Sequence, residues 1–241
     1  MHFEAHADDY ARARPPYPAA LWDTVREMGM LTPGLRALDL GAGTGQVTGA
    51  LLAAGLTVTA VEPGVQLAAQ IRAAFPMATV VVSRAEDLDL PSGAFDVAVA
   101  ATSIHWMDLD IVLPKLRTML TSTGVLLVWR NVFGDPDFLT PFREQIAQIV
   151  AQRVAVPRPG PNPEDSAATA AALTQSGLFA VDEVRTYRWS IELDEGQVRA
   201  LFTTFSDWSA EEVERASAAV AELDGTVLEH YRSWLISLRP T

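Results

Sequence analysis

The stretch Leu38-Asp39-Leu40-Gly41-Ala42-Gly43-Thr44-Gly45 constrains this chain more than any other. An apolar run from Leu35 to Leu40 leads into it, and a helix-like run from Gln46 to Ala54 leaves it. The order is strand, glycine turn, helix start. Such a helix start directs unpaired N–H groups at whatever lies beyond the strand end. Glycine at 41, 43 and 45 lets a ligand approach the backbone closely. This is the turn of a nucleotide-type cofactor, and its spacing narrows the choice. A dinucleotide turn, G-x-G-x-x-G, needs glycine at position 46, where Gln46 stands; a Walker loop needs a lysine, and none is near. What remains is an acid two residues ahead of the first glycine. Asp39 would repel a pyrophosphate, but suits a ligand bearing an amino group and a sulfonium.

The segments that follow repeat strand and helix. Thr57 to Glu62 reads as a second strand that ends in an acid, 21 positions after Gly41. An acid at the tip of the adjacent strand can accept both hydroxyls of a ribose; otherwise it is a solvated strand end. Leu67 to Phe75 predicts a helix and Ala78 to Ser83 a third strand, with Arg84-Ala85-Glu86-Asp87-Leu88 at its tip. Ala94 to Ala100 is a continuous apolar run, the pattern of a strand buried on both faces of a parallel sheet. A loop with Thr102-Ser103-Ile104-His105-Trp106-Met107-Asp108 follows, then a helix near 110–120 and a strand at 124–129. Right-handed crossovers place helices on both faces and ligands at the carboxyl ends of the strands.

The flanks are less regular. Tyr10-Ala11-Arg12-Ala13-Arg14-Pro15-Pro16-Tyr17-Pro18 forces an extended turn before a helix at 21–30. It is either a surface arm or a lid with Tyr10 and Arg14 as polar anchors. Its Pro-Pro-Tyr lacks the acidic or amide lead of the amino-methylase box and precedes the first strand. After residue 131 the pattern gives a helix at 140–153, a Pro/Gly cluster at 157–163 and a helix at 163–176. A strand at 179–192, two helices over 195–223 broken near Trp208 and a last strand at 227–238 complete it. The two strands pair antiparallel at the sheet edge.

Composition bounds the partners. A formal charge of −12 argues against nucleic acid, since phosphate contacts need clustered Lys and Arg. With no cysteine there is no thiolate metal site, and no metal is expected. No apolar run reaches membrane-spanning length, and Met1-His2-Phe3-Glu4 gives no export signal, so a cytoplasmic protein with no membrane role is expected. Oligomeric state is not readable. The expectation is one domain over 1–241: an arm and helix at 1–31, a cofactor core at 35–130, and substrate-side elements at 131–241.

Taken together, Leu38 to Gly45, Val61-Glu62-Pro63, Ala85-Glu86-Asp87-Leu88, Pro91 and Phe95-Asp96 resemble the class I S-adenosylmethionine-dependent methyltransferases. Tyr10 through Pro18 and Ser103 through Asp108 resemble segments of the small-molecule members related to trans-aconitate and ubiquinone/menaquinone methyltransferases. The resemblance covers about residues 10–130 and only loosely the C-terminal third. It implies a Rossmann-like, seven-stranded, mostly parallel sheet with an antiparallel last strand, helices on both faces and helical cap elements. It implies S-adenosyl-L-methionine as cofactor, with Gly41, Gly43 and Gly45 at its methionine part and Asp39 near its amino group. Glu62 would take the ribose, Ala85 and Glu86 the adenine, and Thr102 and Ser103 the sulfonium side. Many relatives carry aspartate where Arg84 stands, so Glu86 or Asp87 would have to replace it.

The implied activity is methyl transfer to a small-molecule acceptor. The same fold also serves enzymes that use the cofactor structurally, as in a cyclisation, and non-catalytic scaffolds. His105 is the candidate base; alternatively, His105 and Trp106 shape the pocket. Trp189, Phe202, Phe205 and Trp208 either line the acceptor cavity or pack a core.

Overall fold

A computed structural model of the chain describes residues 13–153, 162–205 and 207–241. Tyr10, the first part of the arm and most of the Pro/Gly cluster at 157–163 lie outside the described residues.

The elements run α1 (Ala19–Glu27), β1 (Arg36–Leu40), α2 (Gln46–Ala53), β2 (Thr57–Val61), α3 (Val65–Ala74), β3 (Thr79–Val81), a 3-10 turn (Ala85–Asp87), β4 (Phe95–Ala101), a second 3-10 turn (Ile104–Trp106) and α4 (Leu109–Met119). They continue with β5 (Leu120–Phe133), α5 (Pro141–Ala151), α6 (Ser166–Thr174), β6 (Phe179–Asp194), α7 (Glu195–Thr203), α8 (Ala210–Ala221) and β7 (Thr226–Pro240). The seven strands form one sheet in the order β3-β2-β1-β4-β5-β7-β6, parallel but for the antiparallel last strand, β7. This is the Rossmann-like sheet that the sequence pattern implies. Beta5 is longer than its apolar core suggests: it begins directly after α4 and includes Asn131 to Phe133.

By contacts, the described chain divides into two compact units. The cofactor-side unit spans 17–131, 161–187 and 233–241; the other spans 1–16, 132–160 and 188–232. In the first, register sets Asp39 beside Ala60 and Val99, so neighbouring strands end together. Ala37, Val58, Val97, Val99, Val125, Leu127 and Trp129 pack under Leu21 and Val25 of α1 and Val47 and Leu51 of α2. The alternate residues Leu38, Leu40, Ala98, Ala100, Leu126 and Val128 are equally buried, which requires cover on the second face as well. No helix among the described residues is long and apolar enough to cross a membrane.

In the second unit, α5, α7 and α8 close a core of Phe142, Ile146, Leu193, Val198, Phe202, Val213, Val220 and Val227. Capping boxes fix where α7 and α8 begin. Asp194 pairs with Gln197, and Ser209 with Glu212, each satisfying two donors at a helix start. The break between them falls near Trp208, as the sequence suggests, because the chain must stop after Thr203 and restart at that second cap.

Candidate functional site

Four strands of the cofactor-side unit end side by side, and each carries a singled-out residue. The sheet order reverses between β1 and β4, and the crevice at such a reversal is where open α/β sheets hold ligands. After β1, Gly41, Gly43 and Gly45 all adopt left-handed backbone, with φ of 67°, 58° and 85°. That conformation aims the turn. The Gly41 and Ala42 N–H groups donate to Val61 O (2.8 and 3.0 Å), docking the turn onto the end of β2. No side chain caps the first turn of α2, which leaves its amide donors to the crevice.

Glu62, at the end of β2, is the anchor of the turn. Its Oε2 accepts from Gly43 N and its Oε1 from Gly64 N, both at 2.8 Å. These two backbone donors fix the carboxylate at the tip of β2, beside the glycine turn. Asp39 is buried inside the end of β1, and its Oδ2 accepts a 2.6 Å bond from Thr48 Oγ1 on α2. Burial pushes its carboxyl up to about 6; the Thr48 bonds oppose this, and the charge of Glu62 adds to it.

At the end of β4, Thr102 takes φ of 59°, unusual for a β-branched residue. Its N–H donates to Trp129 O (2.8 Å) and its Oγ1 lies 3.0 Å from the Tyr17 hydroxyl. Tyr17 stands edge-on to both Trp22 and Trp129, so packing holds the phenol in place. Ser103 is buried and donates to Leu40 O at 2.6 Å, bridging the ends of β4 and β1.

On the far side of the turn, Ala85 is buried and Glu86 is tied down. Glu86 accepts from Asp108 N (2.9 Å) and pairs with Arg84 (3.0 Å). Burial works against its charged form, but the Asp108 N–H, its own N–H and the Arg84 guanidinium together hold its carboxyl below the usual range. Arg84 thus spends its charge on Glu86. His105 is exposed and packs on Trp106 with ring centroids 4.7 Å apart. Arg130 Nη1 lies 3.1 Å from His105 Nδ1; a guanidinium only donates, so that nitrogen is an acceptor. Arg14 belongs to the other unit, where it donates to Thr204 O (3.2 Å) and lies 4.7 Å over the Phe205 ring.

The structure thus brings together Asp39, the three glycines, Glu62 and Thr102. Sequence reasoning missed Thr48 and Tyr17. Thr48 lies nine positions after Asp39, on the helix that the turn begins, and its burial there is the signal. Tyr17 was set aside with its prolines.

Residues 38–128, from β1 into β5, match the family model described as a methyltransferase domain. An uncharacterized methyltransferase of Mycobacterium tuberculosis is 33% identical over 132 residues, 54% of this chain and 53% of that protein. An uncharacterized methyltransferase-like protein of Schizosaccharomyces pombe is 26% identical over 152 residues, 62% of this chain and 58% of that one. The chain spans about half the length of the curated relatives it matches first. Among solved structures, a proposed type II methyltransferase of Anaeromyxobacter dehalogenans is 26% identical, with a TM-score of 0.59, covering 93% of this chain and 97% of that one. Residues 38–128 are thus a methyltransferase domain, and the fold that contains them is similar to that solved structure.

Two predictions test the site. A methyl group added at Gly41 would lie 2.6 Å from Ser103 Cβ, whereas one at Gly43 meets nothing within 4 Å among the described residues. Gly41→Ala is therefore expected to lose more stability in chemical denaturation than Gly43→Ala, which bears only the backbone cost of about 1 kcal/mol. Equal losses would reject the packing against Ser103. The second concerns Asp39. Its folded carboxyl titrates near 6 rather than 3.8, so the folded chain keeps this proton to higher pH than the unfolded chain. The associated stability is present below about pH 4 and lost as pH rises to about 6, by up to about 3 kcal/mol. Asp39→Asn should remove that slope and melt higher than wild type at pH 7.5 without ligand. A difference in Tm that does not vary between pH 4 and 8 would contradict it.

Proposed function

We propose that this chain transfers a methyl group from S-adenosylmethionine to a small-molecule acceptor, working as one catalytic domain. The observation that carries the reading is Glu62, anchored by Gly43 and Gly64 at the tip of the strand beside the glycine turn. It holds a carboxylate ready for a vicinal diol. The fit extends to the rest of the crevice. Among the described residues nothing lies within 4 Å of a Cβ built at Gly43, so a ligand can approach the backbone there. Asp39 and Glu62 put two acids next to each other, a field that favours a cation. When bound, the cofactor supplies an electrophilic methyl group.

The protein residues bind and orient. Asp39 and the backbone at Gly41, Gly43 and Gly45 take the methionine part, Glu62 the ribose, and Ala85 and Glu86 the adenine side. Thr102, fixed by Tyr17, borders the sulfonium side, and Tyr10 and Arg14 serve as arm anchors. Proximity in a site emptied of water supplies about 7–11 kcal/mol of such a displacement. His105 takes a proton where the attacking atom must lose one, which requires Arg130 to release Nδ1. The charge of −12 supports a small acceptor over a polyanion, with no nucleic-acid or membrane partner.

Glu62→Ala should weaken S-adenosylmethionine binding by about 100-fold or more in calorimetry, because two ribose donors and the turn lose their acceptor. Unchanged affinity would sink the ribose role. Methyl-labelled cofactor incubated with candidate acceptors separates transfer from purely structural use of the cofactor: label must leave the cofactor and appear in a small product. For His105→Ala, the expected fall in kcat is about 10²-fold or more. Turnover near that of wild type would leave the ring a wall of the pocket.

A further inference from the structure

The second unit contains buried polar atoms that have no hydrogen-bond partner among the described residues. Glu229 and Tyr231 alternate with Leu228 and His230 along β7, so both point inward, and both are buried, at 0% and 3% exposure. Arg143, on α5, reaches the same place; its Nε lies 3.7 Å from Glu229 Oε1. Among the described residues, neither Glu229 oxygen, nor the Tyr231 hydroxyl, nor Arg143 Nη1 has a hydrogen-bond partner. Four such atoms in one interior are costly, and native folds rarely leave them so.

The surroundings are aromatic. Arg143 lies 4.5 Å over the Phe133 ring, Phe133 stands 5.5 Å from Tyr231 and 5.6 Å from Phe205, and Trp189 stacks on Tyr231 at 4.6 Å. Arg14 lies over Phe205. Burial pushes the Glu229 carboxyl up to about 7, with the Arg143 charge drawing it partly back. Burial likewise raises the Tyr231 hydroxyl.

From this cluster we infer that the second unit binds a small aromatic molecule through a hydroxyl group, held by Glu229, Arg143 and Tyr231 and flanked by Phe133, Phe205 and Trp189. The chemistry selects that group. Glu229 needs a donor, Arg143 needs an acceptor and Tyr231 serves as either; a hydroxyl donates and accepts at once. An ammonium group offers Arg143 no acceptor, and a carboxylate offers Glu229 no donor. That this ligand is the methyl acceptor rests on the proposed function; that it binds here does not.

The test uses the full chain without cofactor. 2-Naphthol is titrated against naphthalene, which lacks the hydroxyl, 2-methoxynaphthalene, which lacks its proton, and 2-naphthoate. Fluorescence and calorimetry are expected to show saturable binding of 2-naphthol, at least tenfold tighter than the other three. Tyr231→Phe should weaken 2-naphthol at least fivefold while leaving the ligand-free Tm unchanged or raised, because its hydroxyl has no native partner. Naphthalene binding as well as 2-naphthol, naphthoate binding tighter, or no binding at all would overturn the inference. So would a lowered Tm of ligand-free Tyr231→Phe, the mark of a structural water bound at that hydroxyl. S-adenosylmethionine affinity, measured on the same samples, stays at the wild-type value in Tyr231→Phe. A failure of cofactor binding or methyl transfer is thereby separate from a failure of naphthol binding.

Discussion

Two carboxylates share the strand ends of the cofactor-side unit, and the local fold answers that constraint. Asp39 and Glu62 sit at the tips of neighbouring strands, both buried. The charge of Glu62 raises the cost of ionising Asp39. The chain treats them differently. Glu62 receives two backbone N–H donors, one from the glycine turn and one from Gly64. Asp39 receives the Thr48 hydroxyl, with which it still titrates near 6. Glu62 is thereby preorganised as an acceptor. Asp39 is left as a group that gains when a cation arrives, so binding such a ligand and ionising Asp39 reinforce one another.

The backbone geometry follows from the same need. Gly43 can present its N–H to Glu62 because its φ is positive, and Gly41 can lie against Ser103 because it has no Cβ. Ser103 then joins β4 to β1 across the crevice. Thr102 bears an unfavourable φ, a strain of about 1–3 kcal/mol, next to that joint. The surrounding bonds over-determine it: its N–H is fixed on Trp129 O and its hydroxyl on Tyr17. Strain placed at a strand end and held by packed aromatics suits a residue whose position, rather than its chemistry, matters.

Much of this was legible in the sequence. The fourth parallel strand announced itself as an apolar run interrupted only at Asp96, and Gln46, Asp39 and Glu62 narrowed the cofactor by elimination. The helical excursion between the last two strands pointed to their pairing at the sheet edge, but not to β7 lying between β5 and β6. The partners of those residues were harder to read. That Thr48 faces Asp39 depends on the helix phase set by a left-handed Gly45, and that Tyr17 meets Thr102 depends on where a proline-rich turn sends the chain. Local pattern does not encode contacts 85 positions apart. The pairing of Arg84 with Glu86 was open to view, two residues apart, but was read only as a departure from the family pattern.

The second unit was the least legible because its signal is a contradiction. In β7 the inward positions are Val227, Glu229, Tyr231 and Ser233, a set that mixes apolar and ionisable groups. Alternation predicts a strand from such a run but does not say which face turns inward, so a glutamate is assigned to solvent by default. Phe202 is wholly buried in the helical core, Phe133, Phe205 and Trp208 pack against that core, and Trp189 stacks on Tyr231. A fold that only needed stability would replace Glu229, Arg143 and Tyr231 with apolar groups of the same volume, since a buried ion pair without full hydrogen bonding is often worth less than good packing. The proposed hydroxyl-binding role accounts for their presence at such cost, which stability alone does not.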